Sequence, residues 1–192
     1  MILTIYLVTL NTMVLGSDGA LYGTTSGGGS FSLGTVLRID SLGNFTTLHE
    51  FSGSDGAYPR APLVLGSDGA LYGVTPAVNL AYPPFSYVGT VFRIDGAGTL
   101  TTLHSSSGND GFFFGPLVQG SDGALYGTTS SGGPAHQGTV FRIDGTGTFT
   151  TVHLFNGADG AHPTAPLILA NDGALYGRTL DTIFRIDRSG IF

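Results

Sequence analysis

The 192-residue sequence has no cysteine, no lysine and no tryptophan, and charged side chains make up only 10% of it. Without cysteine there is no disulfide, no thiolate nucleophile and no zinc–thiolate site, and the redox compartment is left open. All seven basic residues are arginine, against thirteen acidic ones, for a net charge of −6. That balance offers no basic stripe to neutralise a phosphate backbone and argues against nucleic acid as a partner. No apolar run approaches the ~18 residues of a membrane span. The most apolar stretch, residues 1–10, has the length of a secretory h-region but no basic flank and no small-residue cleavage site. Its β-branched residues read as a strand instead. Helical periodicity is also missing: no window repeats its apolar residues every 3.6 positions for long enough to make a helix.

Glycine is what abounds, 32 residues of it, together with nine prolines, a mix suited to many short strands joined by turns. The string Gly-Ser-Asp-Gly-Ala-Leu-Tyr-Gly begins at Gly16, Gly66 and Gly120 and returns from Ala170 with Ala-Asn in place of Gly-Ser, so the repeat is 50, 54 and 50 residues long. Each copy is followed by Thr-Val-Leu/Phe-Arg-Ile-Asp after Gly34, Gly89 and Gly138, or Thr-Ile-Phe-Arg-Ile-Asp from Thr182. Then comes Phe/Leu-Thr-Thr-Leu/Val-His, ending at His49, His104 and His153. A further apolar run, at 62–65, 116–118 and 166–169, precedes the next copy.

Each repeat thus offers four short β-rich runs, a to d in repeat order a-b-c-d, with Asp-Gly and Gly-x-Gly hairpin signals between a and b and between c and d. In repeat two they fall at 62–65, 70–75, 89–95 and 100–105. A four-stranded meander of ~50 residues, repeated with short connections, predicts an all-β chain, a β-propeller blade per repeat. The blades are 12–61, 62–115, 116–165 and 166–192, within one repeat-array domain covering 1–192. The last lacks its strand d, for which residues 1–10 are the candidate. Either the four blades close a ring or the chain is a partial arc of a larger propeller. An open arc would expose an apolar blade face at each end, where further repeats or self-association would be expected. A β-solenoid is the alternative, weaker because its coils are shorter and need no tight hairpin between neighbouring strands.

The strings Asp-Gly-Ala-Leu-Tyr-Gly-Thr-Thr, Gly-Thr-Val-Phe-Arg-Ile-Asp and Phe-Thr-Thr-Leu-His resemble a bacterial tandem repeat of Gloeobacter and Verrucomicrobia, carried by choice-of-anchor GloVer-repeat proteins. The resemblance covers about 14–192. It implies an exported or cell-surface bacterial protein, often with a C-terminal sorting signal, and no assigned activity. The chain shows neither a clear signal peptide nor an anchoring tail.

Most chemistry-bearing residues belong to the repeat. Asp18, Asp68, Asp122 and Asp172 suit the a–b turn, where Asp bonds its own backbone two residues on, and no calcium-loop spacing is present. Arg38/Asp40, Arg93/Asp95, Arg142/Asp144 and Arg185/Asp187 read as ion pairs at the blade surface or between blades. Simple alternation puts Phe45, Thr47, His49 and Phe51 on one side of strand d. His49, His104 and His153 lie on separate outer strands, too far apart to share one metal ion. There is no nucleophile elbow, and the only Glu is Glu50. No catalytic residue, cofactor or metal is assigned.

The repeats differ where chemistry has room. Alternate connections of a meander emerge at one end, so the long b–c and d–a loops share a face. They carry Phe31, Tyr58, Tyr82, Phe85, Tyr87, Phe112, Phe113, Phe114, His136 and His162, and the four-residue excess of repeat two falls at 76–88. Loop aromatics with Ser, Asn and Gly nearby suit a sugar or a peptide segment. The expected function is therefore a non-catalytic extracellular or cell-surface module that binds a carbohydrate or protein through this face, or acts as a scaffold. The alternative is a propeller-type glycan lyase or hydrolase at the same face, which requires Asp55, Arg60, Asp110, Asp159 and His162 to converge.

Overall fold

A computed structural model describes residues 10–76, 89–107, 109–113, 115–187, 189 and 191–192, with the backbone of two short strands at 78–79 and 86–87. The first sheet is β1 (Val14–Leu15), β2 (Leu21–Thr25), β3 (Thr35–Ile39) and β4 (Phe45–Glu50), antiparallel and in chain order. The second is β5 (Val64–Leu65), β6 (Leu71–Thr75), β9 (Thr90–Ile94) and β10 (Leu100–Ser105), with a small hairpin, β7 (Val78–Asn79) and β8 (Ser86–Tyr87), inserted between its middle strands. That hairpin accounts for the longer second repeat. The third sheet is β11 (Val118–Gln119), β12 (Leu125–Thr129), β13 (Thr139–Ile143) and β14 (Phe149–Leu154). The fourth has three strands, β15 (Ile168–Leu169), β16 (Leu175–Arg178) and β17 (Ile183–Ile186).

These are the blades of a β-propeller, the first three a-b-c-d meanders and the fourth an a-b-c meander, as the repeat predicts. The short a strands lie innermost, β1 beside β5 and β11 beside β15. The a–b turn closes because Asp18 Oδ1 accepts the Ala20 amide at 3.1 Å, and Asp68, Asp122 and Asp172 do the same for Ala70, Ala124 and Ala174. The c–d turn is held by Asp40, whose Oδ1 accepts the amides of Leu42 and Asn44, both at 2.9 Å. Arg38 therefore pairs not with Asp40, two residues on, but with Asp18 across the sheet at 2.7 Å. Arg38 stands opposite Tyr22 on the neighbouring strand, which brings its guanidinium to the oxygen Asp18 has left once the Ala20 bond is made, while the other oxygen of Asp40 takes the Asn44 side-chain amide at 2.9 Å.

Each sheet has a leading face, toward the next blade, and a trailing face, toward the previous one. Three apolar clusters among the described residues fill the seams between consecutive blades. In the first, Val36 and Tyr22 on the leading face of blade 1 meet Leu71, Phe92 and Ile94 on the trailing face of blade 2. The loop after strand d adds an aromatic ring: Phe51 sits edge-on to Phe92 at 5.4 Å and Phe155 to Phe184 at 5.2 Å. In the second seam the repeat has Ser106 instead, which keeps the backbone bond of Phe51 and Phe155 by donating its amide to Gly89 O. The ring is supplied from seven residues further on. Phe113 is buried and edge-on to Phe141 at 5.2 Å. Phe113 is thus a core residue rather than part of the loop surface.

Strand d departs from simple alternation. Phe45 pairs with Ile39 and Thr47 with Leu37, but His49 pairs with Val36 across a β-bulge at Leu48, and β10 and β14 repeat this bulge. The extra residue turns His49, His104 and His153 onto the leading face, opposite Phe45, and sends Leu48 and Leu103 toward the c–d turn of the next blade at Gly98 and Gly147.

The seams stop at the ends of the arc. Leu21 is 40% exposed where its counterparts Leu71, Leu125 and Leu175 are 3–4%, and Ile183 is 83% exposed where Val36, Val91 and Val140 are fully buried. Blade 4 therefore does not pack on blade 1 among the described residues, which form an open arc. Of the candidate closing strand, 1–10, residues 1–9 lie outside the described residues, and Leu10 bridges Thr25 in the first sheet. Phe192 takes the place of Phe149 at the start of strand d, stacked on Phe184 as Phe149 is on Phe141. Removing one seam ring, Phe51→Ala, is expected to destabilise the array by about 3–5 kcal/mol. The check is the denaturant midpoint, which should fall much further than for Phe31→Ala on the loop surface.

Candidate functional site

The b–c and d–a loops meet on one face, as the meander requires, and their backbones are locked together. The Tyr58 amide donates to Leu33 O at 2.7 Å and the His162 amide to Gln137 O at 2.6 Å. Tyr58 and His162 take left-handed φ values of 52° and 50°, and Ser32 and His136 in the facing b–c loops take 58° and 52°. Non-glycine residues seldom adopt that conformation, and at these four positions it lets each amide turn back to a loop carbonyl. Pro59 and Pro163 then lie against Gly34 and Gly138, where an added Cβ would come within 2.7 and 2.6 Å of the proline ring. Only glycine permits that contact, and both glycines also have positive φ.

On this frame Phe31 is 61% exposed and Phe112 39%. His136 is exposed, and Tyr58 and His162 are half-buried. His162 Nδ1 lies 2.8 Å from Ser130 O. A carbonyl only accepts, so Nδ1 carries the proton, and in the neutral ring Nε2 is left as the acceptor. Glu50 accepts the amide and hydroxyl of Ser30 at 2.9 and 2.7 Å, and these bonds hold its carboxyl below the usual carboxylate range. Of the other loop residues, Tyr82, Phe85 and Phe114 lie outside the described residues, and for Tyr87 only the backbone is described.

The acids and histidines that could make an enzyme go elsewhere. His49, His104 and His153 bond Asp55, Asp110 and Asp159 through Nε2 at 2.6, 2.9 and 2.8 Å. Each pair sits at its own seam: His104 stacks on Phe149 of the next blade at 3.8 Å, and His153 stacks on Phe192. Thr90 Oγ1 of blade 2 donates to Asp55 O of blade 1, and Thr182 of blade 4 to Asp159 O of blade 3. Burial pushes the Asp55 and Asp110 carboxyls up, but bonds from the Ser52 and Ser107 amides and from the histidines outweigh it and leave both below the ordinary range. Asp55, Asp110 and Asp159 are thus spread over three seams and do not converge with His162. Among the described residues no three His, Asp or Glu side chains come together in a metal-binding group. The sequence signal for this pairing is a constant spacing of six, His49 to Asp55, His104 to Asp110 and His153 to Asp159.

The opposite, turn face is closed by its own groups. Asp18 Oδ2 accepts the Tyr22 hydroxyl at 2.9 Å and Arg38, which brings its carboxyl down to about 2. Asp68–Tyr72–Arg93 and Asp122–Tyr126–Arg142 repeat the arrangement. A groove of about 150 Å³ at the first seam is lined by Ser17, Asp18, Tyr22, Gly69 and Gly96, its polar groups largely spoken for by these bonds.

The fold is that of a β-propeller, and solved structures share it at low identity. A gluconolactonase from Xanthomonas campestris is 19% identical with a TM-score of 0.62, covering 95% of this chain and 60% of its own. The extracellular domain of a protein named for a one-component system in B. thetaiotaomicron is 12% identical with a TM-score of 0.64, over 92% of this chain and 21% of that one. A protein of unknown function from Dyadobacter fermentans matches at 15% identity and 0.58, over 88% and 55%. This chain therefore spans at most about three fifths of the length of these proteins. No curated protein shows significant similarity to the sequence. The family model of the Gloeobacter/Verrucomicrobia repeat matches residues 9–188, and the chain belongs to that family.

Because the seam carboxylates are held below the ~3.9 of a free Asp, the stability they lend is present above that value and lost as pH falls through their lower folded values. Thermal unfolding of the wild type should therefore drop steeply below about pH 4. Asp110→Asn should start lower at pH 7 and show a shallower fall across the same range.

Proposed function

We propose that this chain is a non-catalytic, exported propeller module that binds a carbohydrate or a protein partner through its loop face. The observation that carries the reading is the division of labour among side chains. His49, His104, His153 and the acids beside them are committed to seams and turns. Phe31, Phe112 and His136 are instead exposed on loops whose backbone is held by hydrogen bonds to a neighbouring loop. Rigid loops that present aromatic planes and few charges suit a neutral partner, since little ordering entropy is lost on contact. Export rests on the family resemblance and is supported by likeness in fold to an extracellular domain. Among the described residues no helix is long and apolar enough to cross a membrane.

The second reading, a glycan lyase or hydrolase at the same face, draws on likeness in fold to a gluconolactonase. Against it stands the dispersal of Asp55, Asp110 and Asp159, since general acid–base chemistry needs its groups within reach of one bond. The test is retention on glycan arrays and on immobilised cell-surface extract for the wild type and for Phe31→Ala with Phe112→Ala. Binding should fall at least tenfold, about 1.4 kcal/mol, with the melting temperature unchanged. Undiminished retention would remove this face from the reading, and release of new sugar ends by the wild type would favour the enzyme.

A further inference from the structure

The two ends of the arc carry the two halves of a seam that the molecule already makes three times. On the leading face of blade 4, Ile168 is 66% and Ile183 83% exposed, and with Pro166, Tyr176 and Arg178 they line an open groove of about 460 Å³. Ile183 stands at the register position of Val36, Val91 and Val140, and Tyr176 at that of Tyr22, Tyr72 and Tyr126. On the trailing face of blade 1, Leu15 is 60%, Leu21 40% and Phe45 50% exposed. Leu21 stands where Leu71, Leu125 and Leu175 enter the seams, and Phe45 where Phe149 does.

From this we infer that the leading face of blade 4 receives the trailing face of blade 1 from a second copy of this chain, extending the arc head to tail. The occupant is argued from continuity with the internal interface. The trailing face of blade 1 has the same strand register and the same kind of side chains as the faces that blades 1 to 3 cover within one molecule. The contact is heterologous, one face against a different one, and continues until the arc closes or the copies run out.

Two departures from the repeat set its strength below that of an internal seam. Leu37 replaces the phenylalanine of Phe92, Phe141 and Phe184, and Leu10 rather than a loop phenylalanine lies over that face. Arg178 takes the position of Thr24, Val74 and Thr128 and brings a charge to an otherwise apolar groove. The inference is independent of what the loop face binds.

The experiment is sedimentation velocity and light scattering on the full chain across a hundredfold range of concentration, with variants blocked at one end each. The wild type should gain mass with concentration. Ile183→Asp alone and Leu21→Asp alone should stay monomeric, yet their equimolar mixture should give a dimer and nothing larger, because each retains the face the other lacks. Ile168→Asp and Phe45→Asp form a second pair of blocking variants, and any variant whose melting temperature falls is replaced by its counterpart. Arg178→Val, which puts the residue of blade 2 at this position, should tighten association about tenfold. A wild type that remains monomeric at the highest concentration would overturn the inference. So would a single blocked variant that still dimerises, since one face would then be pairing with itself, or a mixture that stays monomeric.

Discussion

Everything in this molecule depends on the seam between blades, because a four-stranded sheet with both faces apolar has no stable existence alone. The seam is built at three depths. Near the axis the a–b turn fixes Asp, Tyr and Arg in one bonded group. In the middle, valine and tyrosine of one blade meet leucine, phenylalanine and isoleucine of the next. At the outer strand a β-bulge turns a histidine into the seam, where it is held by an aspartate six residues on. The aspartate links two blades at once, since its carboxylate takes the histidine of its own blade and, at Asp55 and Asp159, its carbonyl takes a threonine hydroxyl from the next.

This explains why so few side chains remain for chemistry. A residue copied at each blade serves a contact made at each seam, and copies lie a blade apart, so a repeated histidine or aspartate does not converge on its counterparts. Asymmetry enters only through the loops, and there the fold spends backbone strain at Ser32, Tyr58, His136 and His162 to hold the b–c loop against the d–a loop. In blades 1 and 3 the two loops are tied to each other and not merely to the sheet.

The second repeat shows how the array tolerates variation. It loses the seam phenylalanine to Ser106 and gains residues in its b–c loop, yet Phe113 reaches the same place over Phe141. The requirement is for a ring at that point in space, and its position in the chain is secondary. At the two ends the same requirement goes unmet, and the leucines and isoleucines prepared for a seam remain open to solvent.

The strings repeated every 50 or 54 residues determined the blades, their strand order and their tight turns, because hairpin chemistry and β-propensity are local properties. They also determined that the long loops share a face, which follows from the meander alone. Only the tertiary structure decided which aspartate each arginine takes, since strand register sets Arg38 opposite Tyr22, whose hydroxyl is bonded to Asp18, and so brings that aspartate within reach. It alone moved His49 to the face opposite Phe45, because a bulge breaks the period of two without leaving a mark that alternation can read. It alone placed Phe113 in the core and left Phe31 and Phe112 outside, for burial depends on what the neighbouring blade brings to the same point.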